Sequence, residues 1–172
     1  IFGAADPKTG ARGSVVDQAT PGLLQDISTE LMALGARIVM IKLGARGAYL
    51  RTSGVKAINQ LGRAAPSDRA AWADREMWAP CFDVEVIGTT GSGDATIAGF
   101  LSALLRDSTP EDAMTMAVAV GACNVEAPDA LGGLRSWEDT AQRIVQGWPR
   151  LPTALDACGW VWDTRFELWR HG

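Results

Sequence analysis

A strand, a glycine turn and an apolar helix succeed one another between Met77 and Leu105, and that order constrains the chain more than any other stretch. From Met77 to Ile87, Trp78, Phe82, Val84 and Val86 alternate against Cys81, Asp83 and Glu85, the period of a strand with one buried face. Gly88-Thr89-Thr90-Gly91-Ser92-Gly93-Asp94 comes next. The run Ala95-Thr96-Ile97-Ala98-Gly99-Phe100-Leu101 then predicts a buried helix ending near Arg106. Two glycines around one small residue let backbone N–H groups approach a ligand with no Cβ in the way. At a helix N-terminus those groups and the positive end of the dipole favour an anion such as phosphate. Asp94 beside such an anion can take a proton from an attacking hydroxyl. Taken alone, the same glycines serve a strand-to-helix turn and Asp94 serves as a cap.

The rest of the chain reads as alternating helix and strand. Ile1 to Ala19 carries turn signals at Asp6-Pro7, Thr9-Gly10 and Arg12-Gly13. Thr20-Pro21 supplies an N-cap and a first-turn proline, and Leu23, Leu24, Ile27, Leu31 and Leu34 repeat at helical spacing until Gly35, predicting a helix with one buried face. Arg37 to Leu43 is a β-branched apolar run that reads as a central strand. Gly44-Ala45-Arg46-Gly47 and the strand Ala48 to Thr52 complete a hairpin. Ser53 to Glu76 reads as a surface loop with one helical turn around Asp68 to Arg75.

Thr109-Pro110-Glu111-Asp112 is a compact helix start, and the helix Ala113 to Ala127 is closed by Pro128. Its small residues, among them Ala117, Val118 and Gly121, suit close packing on the preceding helix, while Asn124 needs a partner if buried. Ser136-Trp137-Glu138-Asp139 opens a helix ending at Gly147. The tail carries Trp148, Trp160, Trp162 and Trp169, which favour packing against the body.

Composition closes off several function classes. The 172 residues, 47% hydrophobic, suffice for the core of a single domain over 1–172. A net charge of -4 with scattered Lys and Arg argues against nucleic acid as a partner. No run approaches the ~20 apolar residues of a membrane span. Cys81, Cys123 and Cys158 lack the spacing of a zinc or redox motif and are expected to be reduced and structural, in keeping with a cytoplasmic protein. The lone histidine, His171, excludes a multi-histidine metal site and a histidine-dependent triad elsewhere in the chain.

The segment Thr89 to Asp94 with Ala98-Gly99-Phe100 resembles the second signature of the ribokinase-like (PfkB) carbohydrate kinases, Asp-Thr-x-Gly-Ala-Gly-Asp. The resemblance implies that the amides of Gly91, Ser92 and Gly93 form an anion hole for the transferred phosphate and that Asp94 is the base for a sugar hydroxyl. Ser92 for Ala is a mild departure, and Gly88 for Asp a larger one. The Gly44 to Gly47 turn is similar to the family's Leu-Gly-x-x-Gly turn, which makes Lys42, Gly44, Arg46 and Gly47 candidate nucleotide contacts. By the same resemblance Val118 sits against adenine, and Gly133, in Gly132-Gly133, lies near the nucleotide and a monovalent-cation site. The family's Asn-x-x-Glu motif, which positions magnesium and phosphate, does not occur in Ile1 to Ala19.

The alternation of strands, helices and glycine turns predicts a layered α/β domain with a mainly parallel sheet plus an antiparallel hairpin, and the resemblance implies that it is ribokinase-like. The resemblance also implies ATP and Mg2+ as cofactors, with room for a monovalent cation, and a sugar-like small molecule as acceptor. Family members are longer, so the chain reads as a nucleotide-binding, catalytic C-terminal half without the N-terminal half that selects the sugar. The isolated piece is then expected to be inactive, and a homodimer belongs to the longer protein. The alternative is a nucleotide-binding or interaction module without turnover.

Overall fold

The computed structural model describes residues 15–172, so the turns expected at Asp6-Pro7, Thr9-Gly10 and Arg12-Gly13 lie outside the described residues. Local signals start the helices. In α1 (Pro21–Ala33) the Thr20 hydroxyl accepts from the Leu23 N–H at 3.3 Å, and proline opens the first turn. β1 (Ile38–Lys42) and β2 (Ala48–Thr52) are joined across the 3-10 turn Gly44–Arg46. After them come α2 (Val55–Ile58), α3 (Arg69–Trp72) and β3 (Glu76–Ala79). The chain continues through α4 (Ser92–Leu105), α5 (Pro110–Asn124) and α6 (Trp137–Val145) to the hairpin β4 (Trp160–Asp163) and β5 (Leu168–His171). Thr109 and Ser136 cap α5 and α6 by accepting from Asp112 N–H and Asp139 N–H.

Among the described residues the sheet order is β1-β2-β3-β5-β4, and every pairing is antiparallel. This corrects the expectation of a mainly parallel sheet. Parallel neighbours need a crossover, typically a helix packed over the sheet, whereas β1 and β2 are separated by a tight turn and β4 and β5 by another. β1 is moreover an edge strand among the described residues, where a central one was expected.

β3 is also shorter than the predicted strand Met77 to Ile87. Its partner β2 ends opposite it at Ala48, paired with Ala79. Pro80, which has no N–H to donate, then breaks the ladder. Beyond it only Phe82 makes a bridge, to Arg150.

Alternating residues of the sheet serve two layers. Tyr49 and Trp78 face Leu24 of α1, with Leu43, Leu155 and Trp160 around them. Ala48, Leu50, Met77 and Ala79 face the other way, toward the core that includes Phe100, Met114 and Val118. On that side α4 and α5 approach closely at Gly99, where a Cβ would meet Met116 O and Val120 Cβ at 3.0 Å.

Two apolar helix faces are left uncovered. α1 buries only Leu24 and Ser28, while Leu23, Ile27, Leu31 and Leu34 are exposed, Leu34 by 85%. The buried face predicted for this helix is therefore mostly a solvent face. On α4, Ile97, Leu101 and Leu105 form a second exposed row at the same four-residue spacing.

The segment expected to be a surface loop holds more than one helical turn. Ile58 is fully buried and Trp72 is 1% exposed. The Trp72 indole donates to Ser108 O at 3.1 Å and meets Phe100 edge-on. The tryptophan-rich tail supplies β4 and β5, with β5 pairing to β3 through Met77↔Arg170 and Trp78↔Trp169. No helix among the described residues is long and apolar enough to cross a membrane.

Candidate functional site

The N-terminus of α4 differs from those of α1, α5 and α6. Its N-cap is Gly91, in the left-handed region at φ 76, and no side chain caps the helix. A side chain there would be strained by that φ and would also meet Ala130 at 2.9 Å. Ser92 turns its hydroxyl back to Thr89 O at 3.0 Å, and Thr96 donates to Ser92 O at 2.8 Å. The N–H groups of Gly93 and Asp94 have no partner among the described residues. Open N–H groups at a helix start are the donors an anion needs. Lys42, from the end of β1, brings its charge to the same place: its Nζ lies 2.6 Å from where a Cβ on Gly93 would stand. The ammonium makes no ion pair among the described residues.

A cavity of about 380 Å3 opens beside this turn. Of the sequence-predicted residues it gathers Lys42, Gly44, Gly47, Ser92, Gly93 and Val118 on its walls. Lys42, Thr89, Ser92 and Thr96 supply its polar side chains, with the backbone of the β1–β2 turn beside them. Most of the remaining lining is apolar: Ala122 of α5 and Val125 at its C-cap, Cys81, Phe82, Val84 and Val86 after β3, and Leu151. Burial pushes the Cys81 thiol up from its usual value.

The structure puts the other predicted residues elsewhere. Gly91 and Asp94 belong to the same turn but not to the cavity wall, and Asp94 is exposed. Arg46 points away from the cavity: its guanidinium donates to Val16 O at 2.9 Å and Ala19 O at 2.7 Å, and lies over Trp78. Gly133 packs against the carbonyls ending α5, where a Cβ would run into Cys123 O and Asn124 O. Asn124 is fully buried and donates to Ala130 O at 2.7 Å, the structural partner its position called for. Leu151 was missed because no local pattern marks it. Phe82, Val84 and Val86 were legible only as the buried face of a strand.

At Gly88 the backbone leaves no room for a side chain. A Cβ there would meet Ala127 O at 2.7 Å and Pro128 Cα at 2.9 Å. Among the described residues no cluster of three or more His, Cys, Asp or Glu could hold a metal ion.

Comparison with known proteins agrees with this architecture. The profile of the pfkB family carbohydrate kinases matches residues 16–136. The chain is similar to 1-phosphofructokinase of Haloferax volcanii, 33% identical over 109 residues, covering 60% of this chain and 29% of that protein. It is also similar to 2-dehydro-3-deoxygluconokinase of Bacillus subtilis, 30% identical over 117 residues, covering 68% of this chain and 30% of that protein. Thus the chain spans less than a third of the length of either curated relative. Among solved structures, aminoimidazole riboside kinase from Salmonella enterica, complexed with aminoimidazole riboside and an ATP analog, matches at TM-score 0.50 and 29% identity over 69% of this chain and 35% of that one. Ribokinase from Thermotoga maritima shares the fold at TM-score 0.52 and 18% identity, over 81% of this chain and 46% of that one. With its profile match covering most of the chain, the protein belongs to the pfkB family of carbohydrate kinases.

Proposed function

We propose that this chain is the nucleotide-binding, catalytic portion of an ATP-dependent kinase that phosphorylates a hydroxyl of a sugar-like small molecule. The observation that carries the reading is the uncapped start of α4, whose Gly93 lies against Lys42 Nζ on the wall of a largely apolar cavity. The apolar lining suits a base, and the open amides with the ammonium suit phosphates. In this reading the amides of Gly91, Ser92 and Gly93 stabilise the transferred phosphoryl group, the Ser92 N–H being shared with Thr89 O at 3.3 Å, and Asp94 accepts the hydroxyl proton. Mg2+ would enter with ATP, neutralising charge on its phosphates. A reducing, cytoplasmic setting accords with three free cysteines.

The acceptor site then belongs to a part of the protein beyond this chain, the C-terminal half of the enzyme in this reading. The edge of β1, unpaired among the described residues, and the exposed apolar rows of α1 and α4 favour this, since each is surface that packing would cover. A second reading, nucleotide binding without turnover, draws on the chain's short span of its relatives, 29% and 30%.

One titration and one assay separate the two. The 172-residue chain is expected to bind MgATP weakly in a calorimeter and to release no sugar-dependent ADP at a useful rate. Joined to its acceptor-binding part, it should turn over; if that protein binds MgATP but transfers nothing to any sugar or nucleoside, the module reading wins. Robust sugar-dependent ADP release from the chain alone would contradict the division of labour proposed here.

A monovalent cation fits poorly. The resemblance assigns one ligand of that ion to the Asp that Gly88 replaces, and the carbonyl of Ala127 stands 2.7 Å from where a Cβ at Gly88 would be. We expect only weak activation when potassium replaces sodium in the rate assay. A steep potassium dependence would show that backbone carbonyls rebuild the site.

A further inference from the structure

The apolar side of the cavity depends on a segment beyond residue 136, where the match to the family profile ends. Residues 148–151 are laced to the stretch after β3. The Leu151 N–H donates to Cys81 O at 2.8 Å, and the Asp83 N–H donates to Pro149 O at 2.9 Å. The Trp148 indole donates to Asp83 O at 2.8 Å and stacks on Phe82 at 4.4 Å.

Arg150 braces this seam from within. Its side chain is 6% exposed, and Glu167 stands 3.8 Å from its Nε. Nη1 donates to Pro80 O at 2.8 Å, and Nη2 donates to Thr115 Oγ1 at 3.0 Å and Phe166 O at 3.3 Å. The guanidinium lies 4.3 Å from the centre of the Phe82 ring. Burial pulls its pKa down to about 10, the cost of taking a cation out of water. What that cost secures is geometry, since one planar fork ties the post-β3 stretch, α5 and the turn of the C-terminal hairpin together. Leu151, the next residue, is half-buried and lines the cavity.

Apart from Lys42, Thr89, Ser92 and Thr96, the lining side chains carry no hydrogen-bonding group other than the Cys81 thiol, and the hydroxyls of Ser92 and Thr96 already donate to Thr89 O and Ser92 O. A base held there would be selected by the shape of its slot, and shape is what a branched side chain at the wall controls.

We infer that Leu151 sets the depth of the nucleobase slot and that Arg150 is the positioning residue that holds it, so that the C-terminal segment helps to decide which nucleotide the chain accepts. The inference rests on the nucleotide reading of the cavity. It gives residues 148–151 a part in nucleotide choice that lies outside the family-matched region.

The test is an equilibrium titration of the 172-residue chain with MgATP, MgGTP and inorganic tripolyphosphate. Leu151→Trp should fill the slot and weaken MgATP by about tenfold or more while tripolyphosphate binding stays at the wild-type level. Leu151→Ala should deepen the slot and narrow the difference between MgATP and MgGTP. Arg150→Met should reproduce that loss of discrimination, with Arg150→Lys recovering part of it.

Wild-type nucleotide binding in both Leu151 variants would overturn the inference and leave the nucleotide reading intact. So would parallel loss of MgATP and tripolyphosphate in both variants. Unchanged discrimination in Arg150→Met would remove the positioning role. A wild-type chain that takes up neither MgATP nor tripolyphosphate would sink the nucleotide reading, and this inference with it.

Discussion

Replacing Asp94 by Asn is expected to lower phosphoryl-transfer turnover by roughly 100- to 10,000-fold, the usual worth of a positioned general base. The measurement belongs to the protein complete with its acceptor-binding part, under saturating MgATP and sugar. The substitution keeps the size and shape of the side chain and removes only the carboxylate. Asp94 is solvent-exposed in the first turn of α4, and its side chain makes no hydrogen bond or ion pair among the described residues. The MgATP dissociation constant, read by titration of the same variant, should therefore stay within a few fold of wild type. Loss of turnover with intact binding is the pattern of an interaction made only as the reaction proceeds. Full activity in Asp94→Asn would remove the residue from the mechanism.

The largest effect on stability is expected at Gly47. It sits at φ 90 and ψ -131, closing the turn between β1 and β2. A Cβ there would run into Ala79 O, with Cys81 N and Pro80 C at 2.8 Å. All three are backbone atoms of the stretch that ends β3, and they cannot swing aside as a side-chain tip can. Backbone strain and overpacking together should make Gly47→Ala cost roughly 3 to 5 kcal/mol. That is a large share of the ~5 to 15 kcal/mol that holds a domain together. Gly44 is the control: its φ is also positive, at 56, but nothing lies within 4 Å of its Cβ position. Gly44→Ala should cost only about 1 to 2 kcal/mol, the left-handed penalty alone. Urea unfolding of the two variants beside wild type decides the matter, and equal midpoints for the two would show that crowding at Gly47 is not what matters.

Much of the candidate site was legible because its parts are local. The turn from Gly88 to Asp94 and the turn from Gly44 to Gly47 are each marked by glycines a few residues apart. The structure brings Lys42, Gly44, Gly47, Ser92, Gly93 and Val118 to one cavity. Arg46 misled because a long side chain on a tight turn can go either way. Here the carbonyls of Val16 and Ala19 and the face of Trp78 draw it off. Leu151 could not be found from its neighbours in sequence, since it reaches the cavity through a hydrogen bond to Cys81, far earlier in the chain.

Sequence by itself determined where helices begin, because a cap and its N–H groups lie within one turn of each other: Thr20, Thr109 and Ser136 each do what their positions foretold. It also determined the β1–β2 hairpin, whose partners are close along the chain. Only the tertiary structure decided that the sheet of the described residues is antiparallel throughout and that the tryptophan-rich tail returns to pair with Met77 and Trp78. Those choices depend on which distant strand offers its N–H and C=O groups, and alternation of apolar residues is the same whichever strand that is. The row Leu23, Ile27, Leu31 and Leu34 teaches the same lesson for helices. Its spacing states that one face of α1 is apolar, but whether that face is covered depends on what lies across from it, and in this chain the sheet takes Leu24 and Ser28 instead.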